Sequence, residues 1–329
     1  METLQGGMRK STKTVNNVLI TGAAGFIGFH TAFYLLNRHI NIIGVDNIND
    51  YYDPKLKTTR LGLLGEFYNF EFIKSDINNP KLYDMLNGKP IDVVIHLAAQ
   101  AGVRHCITKP GSYIESNLDG FFRMLDYSNF RKLKFIYASS SSVYGNNTLP
   151  WVETMKVDQP MSLYGATKIA NEVMAESYTK MYGTNCIGLR FFTVYGAFGR
   201  PDMAVWKWTK GIDEGTSIDI YNHGDMKRNF TYVSDIVAAI ESCVRWDLPG
   251  HKIYNLGNDI SYNIGGVVDI IGNILGKTPV KNYLPMQACD IKSSAVNIDR
   301  AMTELDFIVT VPIIKGLNNF VKWYLKFKE

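Results

Sequence analysis

Cysteine is scarce in this chain. Cys106, Cys186, Cys243 and Cys289 are the only four in 329 residues, and none forms a Cys-x-x-Cys pair. That excludes a disulfide scaffold, and reduced, mostly buried thiols of a cytoplasmic protein are the expectation. His96, His105 and His223 lack metal-ligand spacing, so no metal site is expected. No apolar run approaches the roughly 18 residues that would suggest a membrane span. Charge of one sign is also lacking: 35 Lys and Arg face 31 Asp and Glu, a net +4. This balance argues against nucleic acid or a membrane surface as partner, although a slight positive excess suits an anionic substrate. The opening METLQGGMRKSTKT is polar and has no apolar core of signal-peptide length, so residues 1–14 are expected to be a disordered extension. Repeats and low-complexity tracts are absent. What remains is an ordinary globular composition, 46% hydrophobic and 20% charged, in a chain long enough to bury a large core.

Apolar strands alternate with helices through the first 190 residues. NNVLITG, INIIGVDN, FEFIKSDI, IDVVIHLAA, KFIYASS and TNCIGLRFF read as six strands. Between the first two, GFIGFHTAFYLLNRH places Ile27, Ala32, Leu35 and Leu36 at helical spacing. Continuous apolar strands separated by helices predict an α/β, Rossmann-type, doubly wound parallel sheet covered on both faces. Beyond residue 190 the pattern loosens. Short strands (SIDIYN, FTYV, KIYNLG) mix with helices (VSDIVAAIESCVRW, IGGVVDIIGNIL, IIKGLNNFVKWYLKF). The expectation is a cofactor domain over 15–190, to which the chain returns around 230–257. Residues 191–229 and 258–329 are expected to form a smaller α/β substrate-binding domain closing over the carboxyl ends of the strands.

Two motifs carry chemistry. TGAAGFIG places Gly22, Gly25 and Gly28 between a strand and a helix, with Phe26 and Ile27 in the same turn. Gly22 permits the tight turn, Gly25 lets backbone approach a pyrophosphate, and Gly28 lets helix and strand pack closely. The helix start then offers free N–H groups to phosphate. Asp46 ends the second strand, 18 residues after Gly28. Its carboxylate can accept both ribose hydroxyls of NAD and would repel the extra phosphate of NADP; a helix-cap aspartate is the plainer alternative. Asp76 and Ile77 can contact adenine, and HLAAQ, from Leu97 to Gln100 with Ala98 and Ala99, can line the cofactor. The second motif is Tyr164 and Lys168, four apart in SLYGATKIANEVMAESY. On a helix they share a face. The ammonium is expected to lower the phenol's pKa and make Tyr164 a proton acceptor near neutral pH. Alone, such a pair occurs by chance in many helices; downstream of a nucleotide loop it points to a dehydrogenase.

TGAAGFIG, Asp46-Asn47, HLAAQAG, SSSSVYG, YGATK and the segment from Arg228 to Val233 together resemble the extended short-chain dehydrogenase/reductase superfamily over nearly the whole chain. The resemblance implies that Tyr164 and Lys168 work beside a nicotinamide, with Ser140 completing the triad. It also implies a homodimer through two long helices per subunit, one carrying Tyr164. Dehydratases of the superfamily place Asp-Glu where this chain has Ser141 and Ser142, and decarboxylases a glutamate at the second position. Without a carboxyl group there, the acid and base for elimination are missing. The simplest remaining outcome is that a ketone rotates and is reduced on its other face, which is epimerisation.

Longer blocks narrow this. VDNINDYYDPKLKTTRL, HLAAQAGVRHC, RFFTVYGAFGRPDMAVWKWTKGI and YNHGDMKRNFTYVSDI resemble the UDP-glucuronate 4-epimerases, including plant and capsule-biosynthesis members. The resemblance implies that Arg200 grips the sugar carboxylate, with Thr193, Ser141 and Ser142 facing the same sugar. It places Arg228 on the diphosphate, Asp290 on the uridine ribose and Arg104 on phosphate or sugar. Ala288-Cys289 replaces the family's Pro-Gly before Asp290. A clamp has a physical purpose here. Oxidising carbon 4 of glucuronate makes a β-keto acid, which loses carbon dioxide when the bond to its carboxylate aligns with the carbonyl π system. A bidentate arginine can hold that bond out of alignment. The expected activity is the NAD-dependent, reversible conversion of UDP-glucuronate to UDP-galacturonate. A 4-epimerase of neutral or N-acetylated UDP-hexoses, a decarboxylase and a non-catalytic NAD sensor stand as alternatives.

Overall fold

The computed structural model describes residues 14–287 and 290–329, so nearly all of the expected N-terminal extension and the Ala288-Cys289 pair lie outside the described residues. In chain order the first half runs β1 (Asn17–Thr21), α1 (Phe26–Leu36), β2 (Asn41–Asp46), α2 (Pro54–Leu64), β3 (Phe70–Lys74), α3 (Pro80–Leu86), β4 (Val93–His96), α4 (His105–Thr108), α5 (Pro110–Ile114), α6 (Gly120–Phe130), β5 (Lys134–Ser140), α7 (Leu163–Tyr182) and β6 (Cys186–Phe191). The second half runs β7 (Thr193–Tyr195), α8 (Ala204–Glu214), β8 (Ile218–Tyr221), β9 (Lys227–Arg228), β10 (Phe230–Tyr232), α9 (Val233–Arg245), β11 (His251–Leu256), β12 (Tyr262–Asn263), α10 (Ile264–Leu275), β13 (Lys281–Leu284), α11 (Asp299–Leu305) and α12 (Ile313–Lys328).

Seven parallel strands form the central sheet in the order β11-β6-β5-β4-β1-β2-β3. Val18, Leu19 and Ile20 are wholly buried, as the uninterrupted apolar run of β1 requires when helices cover both faces. β1 pairs with β2 on one side (Val18 beside Ile42) and β4 on the other (Val18 beside Val93). The chain reverses its direction of travel between those neighbours, and a crevice opens there at the carboxyl ends of the strands. β11, from the loosely patterned tail, adds to the sheet edge beside β6, and α9 packs on α1. A second core gathers Trp206, Ile212, Ile220, Val268, Leu317 and Phe320 from α8, β8, α10 and α12.

The glycine loop is built from backbone contacts too close for side chains. Gly22 has φ of +72°, and a Cβ on Gly28 would lie 2.0 Å from the Gly22 carbonyl oxygen. α7 begins where the Ser162 side chain accepts from the Gly165 N–H at 3.0 Å. It ends at Gly183, whose φ of 72° suits a left-handed cap. Ile27, half-buried, lines the crevice in keeping with its expected place in the cofactor loop, while Phe26 and Phe29 fill the core beside Ala32 and Leu35.

Beneath the crevice lies a buried ion pair. Arg190 on β6 donates from Nε and Nη2 to the two carboxylate oxygens of Glu172 on α7, at 2.8 and 2.7 Å. Ser139 Oγ donates to the same carboxylate at 2.5 Å, and Arg190 Nη1 to the Tyr144 hydroxyl at 2.8 Å. Removing one partner strands the other charge out of water. Arg190→Met is therefore expected to cost about 3–5 kcal/mol, read as a lowered urea midpoint, and replacing Glu172 as well should restore part of the loss. A single variant as stable as wild type would contradict this.

Candidate active site

The crevice is a cleft of about 380 Å³. Gly22, Gly25, Phe26, Ile27 and Gly28 form its floor, and Leu97, Ala98 and Ala99, following β4, one wall. Gly25 caps α1 without a side-chain hydrogen bond, so the first amides of the helix are free of a side-chain cap. Asp46 is buried at the end of β2. It accepts from the Ala24 and Ile48 N–H groups at 3.1 and 2.8 Å, which orients the carboxylate and leaves lone pairs for hydroxyl donors. Asn47 donates to Asp76 at 2.8 Å, and both line the cleft with Ile77. A tight glycine turn, open helix amides and an oriented carboxylate at the strand end fit a dinucleotide.

Ser140, Ser141, Ser142, Tyr164, Lys168, Thr193 and Arg200 line the same cleft. The Ser140 hydroxyl lies close enough to the Tyr164 phenol to favour its ionised form. The electrostatics correct the expected tuning of Tyr164. Burial raises its pKa above the ordinary value, and Ser140 and Arg200 offset this only in part. The Lys168 ammonium lies 5.9 Å from the phenol ring centre and donates instead to the Ala138 carbonyl at 2.9 Å. Desolvation lowers Lys168 to about 8, against a partial rise from Glu172. The phenol is thus held in its protonated form at neutral pH, because loss of water around it outweighs the nearby cation.

Arg200 departs from a surface-loop role, since its side chain is 19% exposed. It is not an empty clamp either. Nε donates to Asp202 Oδ1 at 2.9 Å and Nη2 to Oδ2 at 2.5 Å, so one bidentate edge is already occupied. Tyr51 Oη donates to Asp202 Oδ2 at 3.0 Å. The remaining Arg200 hydrogens form a second edge for an incoming anion.

Arg104, Arg228 and Asp290 sit apart from that wall and close to one another. Arg104 donates to Asp290 at 2.9 Å and lies 4.4 Å over the Tyr221 ring. Arg228 donates to the Lys227, Lys292 and Ile291 carbonyls. Burial lowers its pKa, opposed by Asp290. His96 is buried against Thr21 at 2.8 Å, and His105 packs on Tyr51. Among the described residues, no group of three His, Cys, Asp or Glu side chains is arranged to hold a metal ion.

Sequence reasoning missed several residues in and around the cleft. Lys57 is buried 3.8 Å from Asp46 and donates to Asn49 at 2.7 Å. Asn117 accepts from the Gln100 N–H at 2.8 Å and donates to the Gln100 carbonyl and Thr167, pinning the loop after β4 to α7. Tyr51 and Asp202 stand inside blocks that were already distinctive. The local signal for Asp202 was its position two residues after Arg200.

Residues 18–257 match the model of the Epimerase family, described as the NAD dependent epimerase/dehydratase family. The chain is 42% identical to UDP-glucuronate 4-epimerase 4 of Arabidopsis thaliana, across 97% of this chain and 78% of that protein. It is 45% identical to Protein CapI of Staphylococcus aureus, across 94% and 98%. Its fold superimposes on a crystal structure of UDP-glucuronic acid 4-epimerase from Bacillus cereus in complex with UDP-glucuronic acid and NAD. The TM-score is 0.90 at 32% identity, covering 94% of this chain and 99% of that one.

Lys168 carries a pH signature. Its folded pKa of about 8 lies below the ordinary 10.5. Between those values the unfolded chain binds the extra proton, so the contribution of this group to stability rises with pH. In urea unfolding of cofactor-stripped protein, wild type is expected to gain on Lys168→Met as pH climbs from 8 to 10.5. A flat difference across that window would mean that the ammonium is not desolvated.

Proposed function

The chain belongs to the NAD dependent epimerase/dehydratase family, and we infer that it inverts carbon 4 of UDP-glucuronate to give UDP-galacturonate, reversibly and without loss of carbon dioxide. The observation that carries this reading is one cleft wall. Arg200 lies beside Ser141 and Ser142 in the cleft that holds Tyr164, and serines stand where dehydratases and decarboxylases need carboxyl groups.

The roles of individual residues follow from that reading. The glycine loop, Asp46, Asn47, Asp76, Ile77 and the Leu97–Ala99 wall hold NAD, which when bound supplies the reversible hydride acceptor. Tyr164 exchanges the proton of the carbon 4 hydroxyl, and Ser140 bridges that hydroxyl and the phenol. Bound NAD would supply a positive charge favouring the Tyr164 phenolate that burial disfavours. Lys168 orients the nicotinamide ribose and supports the phenolate. Arg200, Ser141, Ser142 and Thr193 hold the sugar's carboxylate end while the ring turns to present its other face. Ser141 and Ser142 offer no carboxylate to drive elimination.

Residues 15–190, with the return at 230–257, are the cofactor-binding part, and 191–229 and 258–329 form most of the nucleotide-binding part. The second core and the cluster of Arg104, Arg228 and Asp290 support this division. Arg228 and Arg104 provide cations for the diphosphate and Asp290 an acceptor for the uridine ribose. Exposed Phe122 and Phe130 on α6, with Val173, Met181 and Tyr182 on α7, support a homodimer through these helices. Buried, unpaired Cys106, Cys186 and Cys243 suit a reducing, cytoplasmic setting, in which UDP-galacturonate would feed polysaccharide synthesis.

Purified protein given UDP-glucuronate without added NAD is expected to produce UDP-galacturonate and no pentose, followed by proton NMR. Turnover of UDP-glucose with none of UDP-glucuronate would instead support a neutral-hexose epimerase. Arg200→Ala is expected to lower turnover of the acid sugar by about 10²-fold or more through lost orientation and to raise pentose product. Unchanged turnover without decarboxylation would remove Arg200 from its assigned place.

A further inference from the structure

Arg200 raises a physical question. A largely buried guanidinium on a flexible stem is costly to leave unpaired and has many orientations. A carboxylate that must be held at one angle needs its partner held first. The chain's own side chains already do this. Asp202 takes Arg200 Nε and Nη2 on its two oxygens, fixing the guanidinium plane and leaving the other edge to the cleft. Asp202 is ionised, since burial would raise its pKa but Arg200 and Tyr51 more than offset this.

Asp202 is itself held by a second side chain, one distant in sequence. Tyr51 donates to its Oδ2 at 3.0 Å. The Tyr51 ring packs against His105, with centres 4.8 Å apart. A Cβ on Gly102 would lie 2.5 Å from Tyr51 Oη, so the bare glycine leaves room for this hydroxyl. The backbone before Arg200 is secured as well. Arg60, fully buried, donates to the Phe198 carbonyl at 2.6 Å and to the Ala24 carbonyl of the glycine loop at 2.7 Å.

We propose that Asp202, oriented by Tyr51, is a positioning residue that sets the free edge of Arg200 for the sugar carboxylate and so protects the keto acid from decarboxylation. This rests on the substrate reading given above. The reaction to be suppressed is balanced without any further reagent. The bond between carbons 5 and 6 breaks, its electron pair passes into the ketone at carbon 4 as an enolate, carbon 5 takes up a proton, and carbon 6 leaves as carbon dioxide. That bond breaks only when it stands along the carbonyl π system, so a loosened guanidinium admits the orientation that Asp202 excludes.

The test uses the full-length holoenzyme with UDP-glucuronate isotope-labelled at carbon 6. Released carbon dioxide and UDP-galacturonate are measured in the same reaction. Asp202→Asn is expected to raise the ratio of carbon dioxide to epimer at least about tenfold, while substrate affinity by calorimetry changes less than about threefold, because the Arg200 charge remains. Asp202→Glu should return the ratio toward wild type. Tyr51→Phe should move it in the same direction as Asp202→Asn by a smaller factor. A folded, NAD-retaining Asp202→Asn whose ratio stays within about twofold of wild type overturns the proposal. So does a parallel fall of both products, the mark of a merely structural role. If Asp202→Asn does not fold, Tyr51→Phe, which removes one hydroxyl, decides by the same ratio. Wild type inert toward UDP-glucuronate would sink the substrate reading itself; active wild type with unmoved variants sinks only the positioning role.

Discussion

The buried pair of Arg190 and Glu172 is the interaction on which the geometry of the cleft depends. It joins the helix that carries Tyr164 and Lys168 to the strand beside β5, and Ser139 ties the same carboxylate to the residue preceding Ser140. Ser140, Tyr164 and Lys168, the residues assigned above to the proposed chemistry, thus come from elements locked by a single carboxylate. Tyr144 extends the lock by accepting from Arg190 and donating to Asn255 on β11 at 2.7 Å. A buried ion pair is a poor source of net stability, but it specifies one arrangement where an apolar contact would tolerate several. Helix and strand here can slide little without stranding a charge.

The same dry surroundings set the resting protonation of the site. Burial raises Tyr164 and lowers Lys168, so both groups are driven toward their neutral forms before any ligand arrives. A phenol that is reluctant to ionise becomes a useful base only when a cation is placed beside it.

A second constraint runs along residues 46–60. Lys57 reaches Asp46 and Asn49 on the cofactor side, Arg60 holds the glycine loop and the chain before Arg200 together, and Tyr51 meets Asp202. One short segment therefore touches both the glycine loop and the Arg200–Asp202 pair. Arg60 does so from a fully buried position. Its backbone acceptors leave the charge hydrogen-bonded, which makes it a strap between the two ends of the cleft.

Much of this was legible in order along the chain. Parallel strands follow from runs such as NNVLITG, because a strand covered on both faces needs no polar alternation. Gly22 and Gly28 announce the nucleotide turn because no other residue leaves space for its backbone contacts. The helical register of Tyr164 and Lys168 is a local property of four residues. Other features belong to distance. The phenol rises rather than falls because desolvation is set by everything packed around it. Asp202 closes on Arg200 locally, yet Tyr51, 151 residues away, holds it. The sequence by itself determined the element types, the cradle and the identity of the chemical groups, since these rest on short-range backbone and side-chain rules. Tertiary structure alone decided which groups are dry, which edge of Arg200 is free and which distant hydroxyl holds its partner, because solvation and long-range pairing exist only once the chain has packed.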